Sequence, residues 1–219
     1  MNRIIIISIT FFLFTTILVA KEKAYVIEWG NLVPTMQVLE DPFKHLTEEQ
    51  LYDLESIDYF RDAYDQKGPI NSEDSEEVLR LVNNLKSANL DVNALLLTYD
   101  EYLKEIERRS WLVVNELNGR FIRLAGYILP LEFNESGVDE FFLVPYIGAC
   151  IHVPPPPPNQ IVYIRTKEKL MVEELYRPVW VTGHLNIEAS SRSLFLVDGS
   201  DDIPFGYIIE NAVIEDYNE

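Results

Sequence analysis

Cys150 and His152 stand two residues apart in the stretch VPYIGACIHVPPPPPNQIVY, residues 144–163, and no other pair in the chain offers a clearer route to chemistry. In an extended segment, residues i and i+2 share a face. A thiol and an imidazole would then lie side by side, with Ala149, Ile151 and Val153 on the opposite face. Thiolate sulfur and imidazole nitrogen are ligands for zinc or copper(I), and such a site needs one or two further donors. His184 is the natural third ligand, since the remaining histidine, His45, belongs to a helical part of the chain. A carboxylate or a water would complete the shell. The plainer reading is a buried cysteine beside a hydrogen-bonded histidine. A third reading is a hydrolase with a Cys–His dyad, in which the imidazole depresses the thiol pKa. Side chains adjacent on one strand face lie tip beside tip rather than aimed at a substrate carbonyl, and no oxyanion loop accompanies them. No residue is therefore assigned a catalytic role, and binding rather than catalysis is the expectation.

The five residues Pro154, Pro155, Pro156, Pro157 and Pro158 follow directly. They remove five backbone donors and fix φ, which excludes a helix or a central strand and predicts a stiff polyproline II rod about 15 Å long. A partner's aromatic groove can read such a rod at little entropic cost. The five prolines, with Asn159, Gln160 and the aromatic side chains Tyr146, Tyr163 and Trp180, therefore form a candidate partner-binding surface. The alternative is a rigid strap across a barrel mouth, packed on Tyr146, Tyr163 or Trp180.

The elements that must position these residues change character along the chain. Residues 21–110 read as an acidic helical segment. Thr47-Glu48-Glu49-Gln50 fits a capping box and opens a helix from Glu48 to about Tyr64, ended by Lys67-Gly68-Pro69. Asp74 and Thr98 are read as the starts of two more helices, whose carboxylates form a solvated face. From 111 to 219 the pattern is strands. Trp111 to Leu117 is expected to pair across Asn118-Gly119 with Arg120 to Leu131, which places Ile122, Leu124, Gly126 and Ile128 on one face. Further strands are expected at 140–144, 160–165, 178–187, 193–197 and 206–214. Gly126 and Gly183 sit inside strand patterns, where glycine marks a bulge or sharp bend. The expected fold is α+β: a helical N-terminal segment plus a small, mostly antiparallel β-barrel of the oligonucleotide/oligosaccharide-binding (OB) type.

Composition sets outer limits. The 219 residues carry 36 Asp and Glu against 18 Lys and Arg, a net charge of −18, which argues against nucleic acid as the natural ligand because phosphate recognition draws on clustered cations. Residues 1–20 read as a signal peptide: Arg3 gives a positive start, an apolar run follows, and Ala20 is a plausible cleavage point. The alternative is a retained anchor. With no second long apolar run, a cleaved chain has no membrane span, and the expected location is the periplasm. No cysteine lies near the end of the apolar run to serve as a lipobox residue at a new N-terminus. A single cysteine permits no internal disulfide, so packing alone must hold the exported domain. Oligomeric state is not readable from these patterns.

The segment VPYIGACIHVPPPPPNQIVY, with LNGRFIRLAGYILPLE before it and RPVWVTGHL after it, closely resembles the hallmark of an exported bacterial family, domain of unknown function 3299. The resemblance runs from about Val114 to the C-terminus. It implies an exported protein, often a lipoprotein in other members, whose gene tends to neighbour those of ABC-type transporter subunits, some under zinc control. It carries over no catalytic residue. The expectation is a periplasmic accessory protein, a partner of an ABC-type transport system; the alternative is a zinc or copper carrier using Cys150 and His152.

Overall fold

The computed structural model describes residues 22–69, 71–132, 137–148, 155–171, 176–196 and 199–217. Among the described residues, a short strand and a 3-10 turn are followed by three helices. Thr47 opens α1 (Glu48–Lys67) through the expected capping box: its hydroxyl accepts from the Gln50 N–H at 3.2 Å, and the Gln50 side chain accepts from the Thr47 N–H at 3.0 Å. The next two helices start earlier than Asp74 and Thr98. Asn71 caps α2 (Ser72–Ser87) by accepting from the Asp74 N–H at 2.8 Å, which leaves Asp74 inside the first turn. Asp91 caps α3 (Val92–Ser110) by accepting from the Ala94 N–H at 3.1 Å, while Thr98 donates back to the Ala94 carbonyl at 2.9 Å from within the helix. The three helices share a core of Phe43, Leu54, Ile57, Leu81, Leu85 and Val92.

Among the described residues, six strands form one mixed sheet: β1 (Tyr25–Ile27), β2 (Arg120–Pro130), β3 (Val138–Val144), β4 (Val162–Leu170), β5 (Pro178–Leu196) and β6 (Gly199–Asp216). Their order is β1-β2-β3-β4-β6-β5, and β2 also pairs with β5, so that the pairings of the last five strands form a closed circuit. Two pairings, β1 with β2 and β4 with β6, are parallel; the sheet is therefore mixed rather than purely antiparallel. The fold class is α+β, with helices and strands largely segregated along the chain. The segment 21–110 contributes β1 to the sheet before its helices begin.

Two strand expectations need correction. Trp111 to Leu117 is not a strand: the Val114 N–H is taken by the Tyr207 hydroxyl at 2.7 Å, and Asn115–Leu117 winds into a 3-10 turn. Asn118-Gly119 consequently closes no hairpin with it. Gly119, at φ 75°, turns the chain into β2 and donates its N–H to the Leu185 carbonyl at 2.7 Å. The separate strands expected at 178–187 and 193–197 are one long strand, β5, whose pairing with β6 shifts register between Ile187 and Ser190. A second shift lies between Thr182 and Leu185, where Gly183 faces Ile209; a Cβ there would stand 2.4 Å from the Ile209 Cγ2.

Alternation fills two cores from the same strands. Ile122, Leu124, Ile128, Phe141, Leu143, Val162, Ile164, Val181, Leu185, Tyr207 and Ile209 point to one side. Leu129, Leu131, Phe142, Val144, Ile161 and Tyr163 point to the other and are covered by Leu194, Ile203 and Phe205 from the ends of β5 and β6. Burial on both faces explains why β3 and β4 contain the unbroken apolar runs FFLV and VYI.

Candidate functional site

Trp29 opens a 3-10 turn, Trp29–Leu32, braced by the Glu28 N–H donating to the Asn31 side chain at 2.8 Å. Its indole N–H donates to the Ala125 carbonyl at 2.8 Å. Ala125 and Gly126 lie between the part of β2 that pairs with β1 and the part that pairs with β3. Glycine is required here by close approach: a Cβ on Gly126 would stand 2.9 Å from the Trp29 ring and 2.8 Å from the Leu143 Cγ. Trp29, Ala125, Gly126, Tyr127, Pro145, Pro178 and Tyr217 line an open groove of about 440 Å³. At its edge the Tyr217 ring stacks on Trp180 at 5.5 Å, and the Arg123 guanidinium lies 4.7 Å from the Trp180 ring while pairing with Glu215 at 3.1 Å. Tyr146 and Ile147, exposed by 42% and 65%, follow Pro145 within the hallmark segment.

The proline run is anchored. Pro155 and Pro157 face solvent, whereas Pro156 and Pro158 are buried. Pro157 has polyproline II geometry, φ −60° and ψ 152°, and the rod ends there, because Pro158–Gln160 forms a 3-10 turn. Asn159 is 2% exposed and donates its carboxamide to the carbonyls of Arg109 at 3.0 Å and Leu112 at 2.9 Å, at the end of α3. Close by, the buried Tyr207 hydroxyl accepts from the Val114 N–H and donates to the Leu32 carbonyl, each at 2.7 Å. Burial pushes the Tyr207 phenol above its ordinary pKa, which keeps it a donor. Asn159 and Tyr207 thus tie the proline segment, α3, the N-terminal turn and β6 together.

The residues singled out from sequence divide accordingly. Tyr146, Pro155 and Pro157 are exposed; Gln160 and Trp180 are half-buried; Pro156, Pro158, Asn159 and Tyr163 are interior. Tyr163 belongs to the second core, with the guanidinium groups of Arg192 and Arg165 at 5.0 and 5.7 Å from its ring. Cys150, His152 and Pro154, like the stretch 1–20, lie outside the described residues. His184 is exposed at the Gly119 turn: Nδ1 is 3.1 Å from the Gly119 carbonyl, Nε2 is 3.8 Å from the Glu22 carboxylate, and the ring lies 5.0 Å from Phe121. Among the described residues, no group of three or more His, Cys, Asp and Glu is arranged to hold a metal ion. Sequence reasoning missed Trp29 and Tyr207, whose partners are 96 and up to 175 residues away.

These features define an α+β protein built on a mixed six-stranded sheet. Residues 29–216, which include the whole proline segment, match the family described as protein of unknown function, DUF3299, and the chain belongs to that family. A crystal structure of a DUF3299 family protein from Pseudomonas aeruginosa PAO1 is similar to this chain at 27% identity, covering 90% of this chain and 100% of the other, with a TM-score of 0.45. No curated protein matches. Among the described residues, no helix is long and apolar enough to cross a membrane.

Proposed function

We propose that this chain is an exported accessory protein that acts by binding, as a partner of an ABC-type transport complex at the periplasmic face of the membrane. The observation that carries the reading is the groove around Trp29. Its lining of aromatic and proline side chains suits an extended, proline-bearing segment of a partner protein, and the exposed Tyr146 and Ile147 extend that surface toward the hallmark loop. The gene neighbourhood implied by the family resemblance supplies the transport complex. The net charge of −18 argues against nucleic acid as the occupant. The closed circuit of five strands, antiparallel except for β4 with β6, supports an OB-type barrel as the scaffold. The signal peptide supplies the route of export.

The test is a photo-reactive phenylalanine analogue at Tyr146, cross-linked in intact cells. A transporter subunit should be captured reproducibly, and capture should fall when Ile147→Ser and Tyr217→Ser alter the groove and its rim. Capture of no transporter subunit, or equal capture in the altered protein, overturns the reading. N-terminal sequencing of periplasmic protein should begin near Lys21.

A further inference from the structure

The solvent side of α1 carries Glu48, Tyr52, Glu55, Tyr59, Asp62 and Gln66, all exposed. At 100° per residue they fall within about 80° of arc, a straight stripe about 27 Å long. Tyr52 and Tyr59 are exposed by 65% and 70% and stand seven residues apart; Glu48, Glu55 and Asp62 repeat at the same interval. No ion pair involves these three carboxylates among the described residues, and the helix's own Arg61 is engaged by Asp58 and Asp100. The stripe therefore alternates aromatic faces with unpaired negative charge.

Elsewhere this chain shows what such a combination holds. Arg123 lies 4.7 Å from the Trp180 ring and 3.1 Å from the Glu215 carboxylate. Arg165 lies 5.7 Å from the Tyr163 ring and 3.0 Å from the Glu140 carboxylate. In the first, one guanidinium is satisfied at once by an aromatic face and a carboxylate; in the second, Arg165 also donates to the Tyr163 hydroxyl at 3.2 Å, so ring, phenol and carboxylate share it. The α1 stripe offers both acceptors, repeated about every 10 Å, and among the described residues no cation of this chain forms an ion pair with Glu48, Glu55 or Asp62. A helix laid alongside matches that repeat when its cations recur every seventh residue.

We propose that the 48–66 stripe docks a basic helical segment of a partner protein, whose Lys or Arg side chains lie on Tyr52 and Tyr59 and pair with Glu48, Glu55 and Asp62. The acidic surface as a whole steers such a segment inward. The stripe shares no residue with the Trp29 groove, so the two surfaces stand or fall separately.

The probe is a synthetic helical peptide of about three heptads with Arg at every seventh position, compared with an isomer of equal composition whose Arg residues are clustered at one end. Each is titrated calorimetrically into the protein at two salt concentrations. The heptad peptide should bind more tightly than its isomer, and Tyr52→Ser with Tyr59→Ser should weaken it by about fivefold or more without moving the melting midpoint. Glu55→Gln with Asp62→Asn should weaken it and flatten the salt dependence, whereas Glu73→Gln with Glu76→Gln on α2 should leave it unchanged. Absence of binding, equal binding of the isomer, undiminished binding by the double serine variant, or an equal loss from the α2 changes overturns the proposal.

Discussion

Asn159 donates its side-chain N–H to the Arg109 carbonyl at 3.0 Å, joining the end of the proline run to the last turn of α3. The final carbonyls of a helix lack partners within it, and here a residue from a distant loop supplies one. Asn159 is 2% exposed, so water cannot readily replace it. Asn159→Ala should cost about 1 to 3 kcal/mol through the carbonyls left unpaired. Asn159→Asp should cost more, since a carboxylate would face the Arg109 and Leu112 carbonyls. Urea unfolding of the three proteins checks the order; equal midpoints would show that the contact contributes nothing.

Tyr207 serves the other half of this junction. Tyr207→Phe keeps the ring in the core and deletes both the bond accepted from Val114 and the bond donated to Leu32. Two backbone groups lose their partner, and a loss of about 1 to 3 kcal/mol is expected. Amide exchange at Val114 should accelerate by more than the change in global stability explains. Unchanged exchange there would mean that the 3-10 turn after α3 holds itself.

The parts of this fold legible in sequence are those whose cause is local. Thr47 and Gln50 form their capping box within one turn, and the alternation of Ile122, Leu124 and Ile128 fixes the buried face of β2. Asn71 is less visible, because it caps a helix whose apolar stripe begins only later; Asp91 is followed at once by the buried Val92, but Thr98-Tyr99-Asp100-Glu101 offers a competing start within the same helix. Trp111 to Leu117 looks like a strand, yet the residue that diverts it, Tyr207, lies 93 positions beyond Val114. The polar run in the middle of β5 reads as a loop because the register shift that accommodates it depends on β6. In the site, Tyr146 and Trp180 could be placed near a surface from their flanks. Trp29 could not, since its role rests on a carbonyl of β2.

Glu105 predicts an acid dependence for α3. The Arg108 guanidinium, and after it Arg109, hold the Glu105 carboxyl down to about 2 from an ordinary 4.5. A carboxyl depressed in the folded state supplies stability above its unfolded pKa and loses it as pH falls through the folded value. The advantage of the wild type over Glu105→Gln should thus be full above about pH 4.5 and shrink to nothing toward pH 2. Urea midpoints of the pair across that range, at low salt, decide it; a difference independent of pH would point to helix propensity instead.

Gly126→Ala tests whether the groove depends on close approach. The added methyl would stand 2.8 Å from the Leu143 Cγ and 2.9 Å from the Trp29 ring, closer than carbon atoms tolerate. Leu143 is fully buried, so the indole is the side that must give way. Displacing it stretches the bond to the Ala125 carbonyl and opens the wall of the groove. The expected cost is about 1 to 3 kcal/mol. Trp29→Phe should also destabilise, because the smaller ring gives up both the N–H to Ala125 and part of the indole's contact area. Indole emission separates the two routes to instability. A red shift in Gly126→Ala, absent when Trp29 has already been replaced by Phe, ties the strain to this contact. A shift that persists in the double variant would place the disturbance at Trp111 or Trp180 and detach Gly126 from the groove.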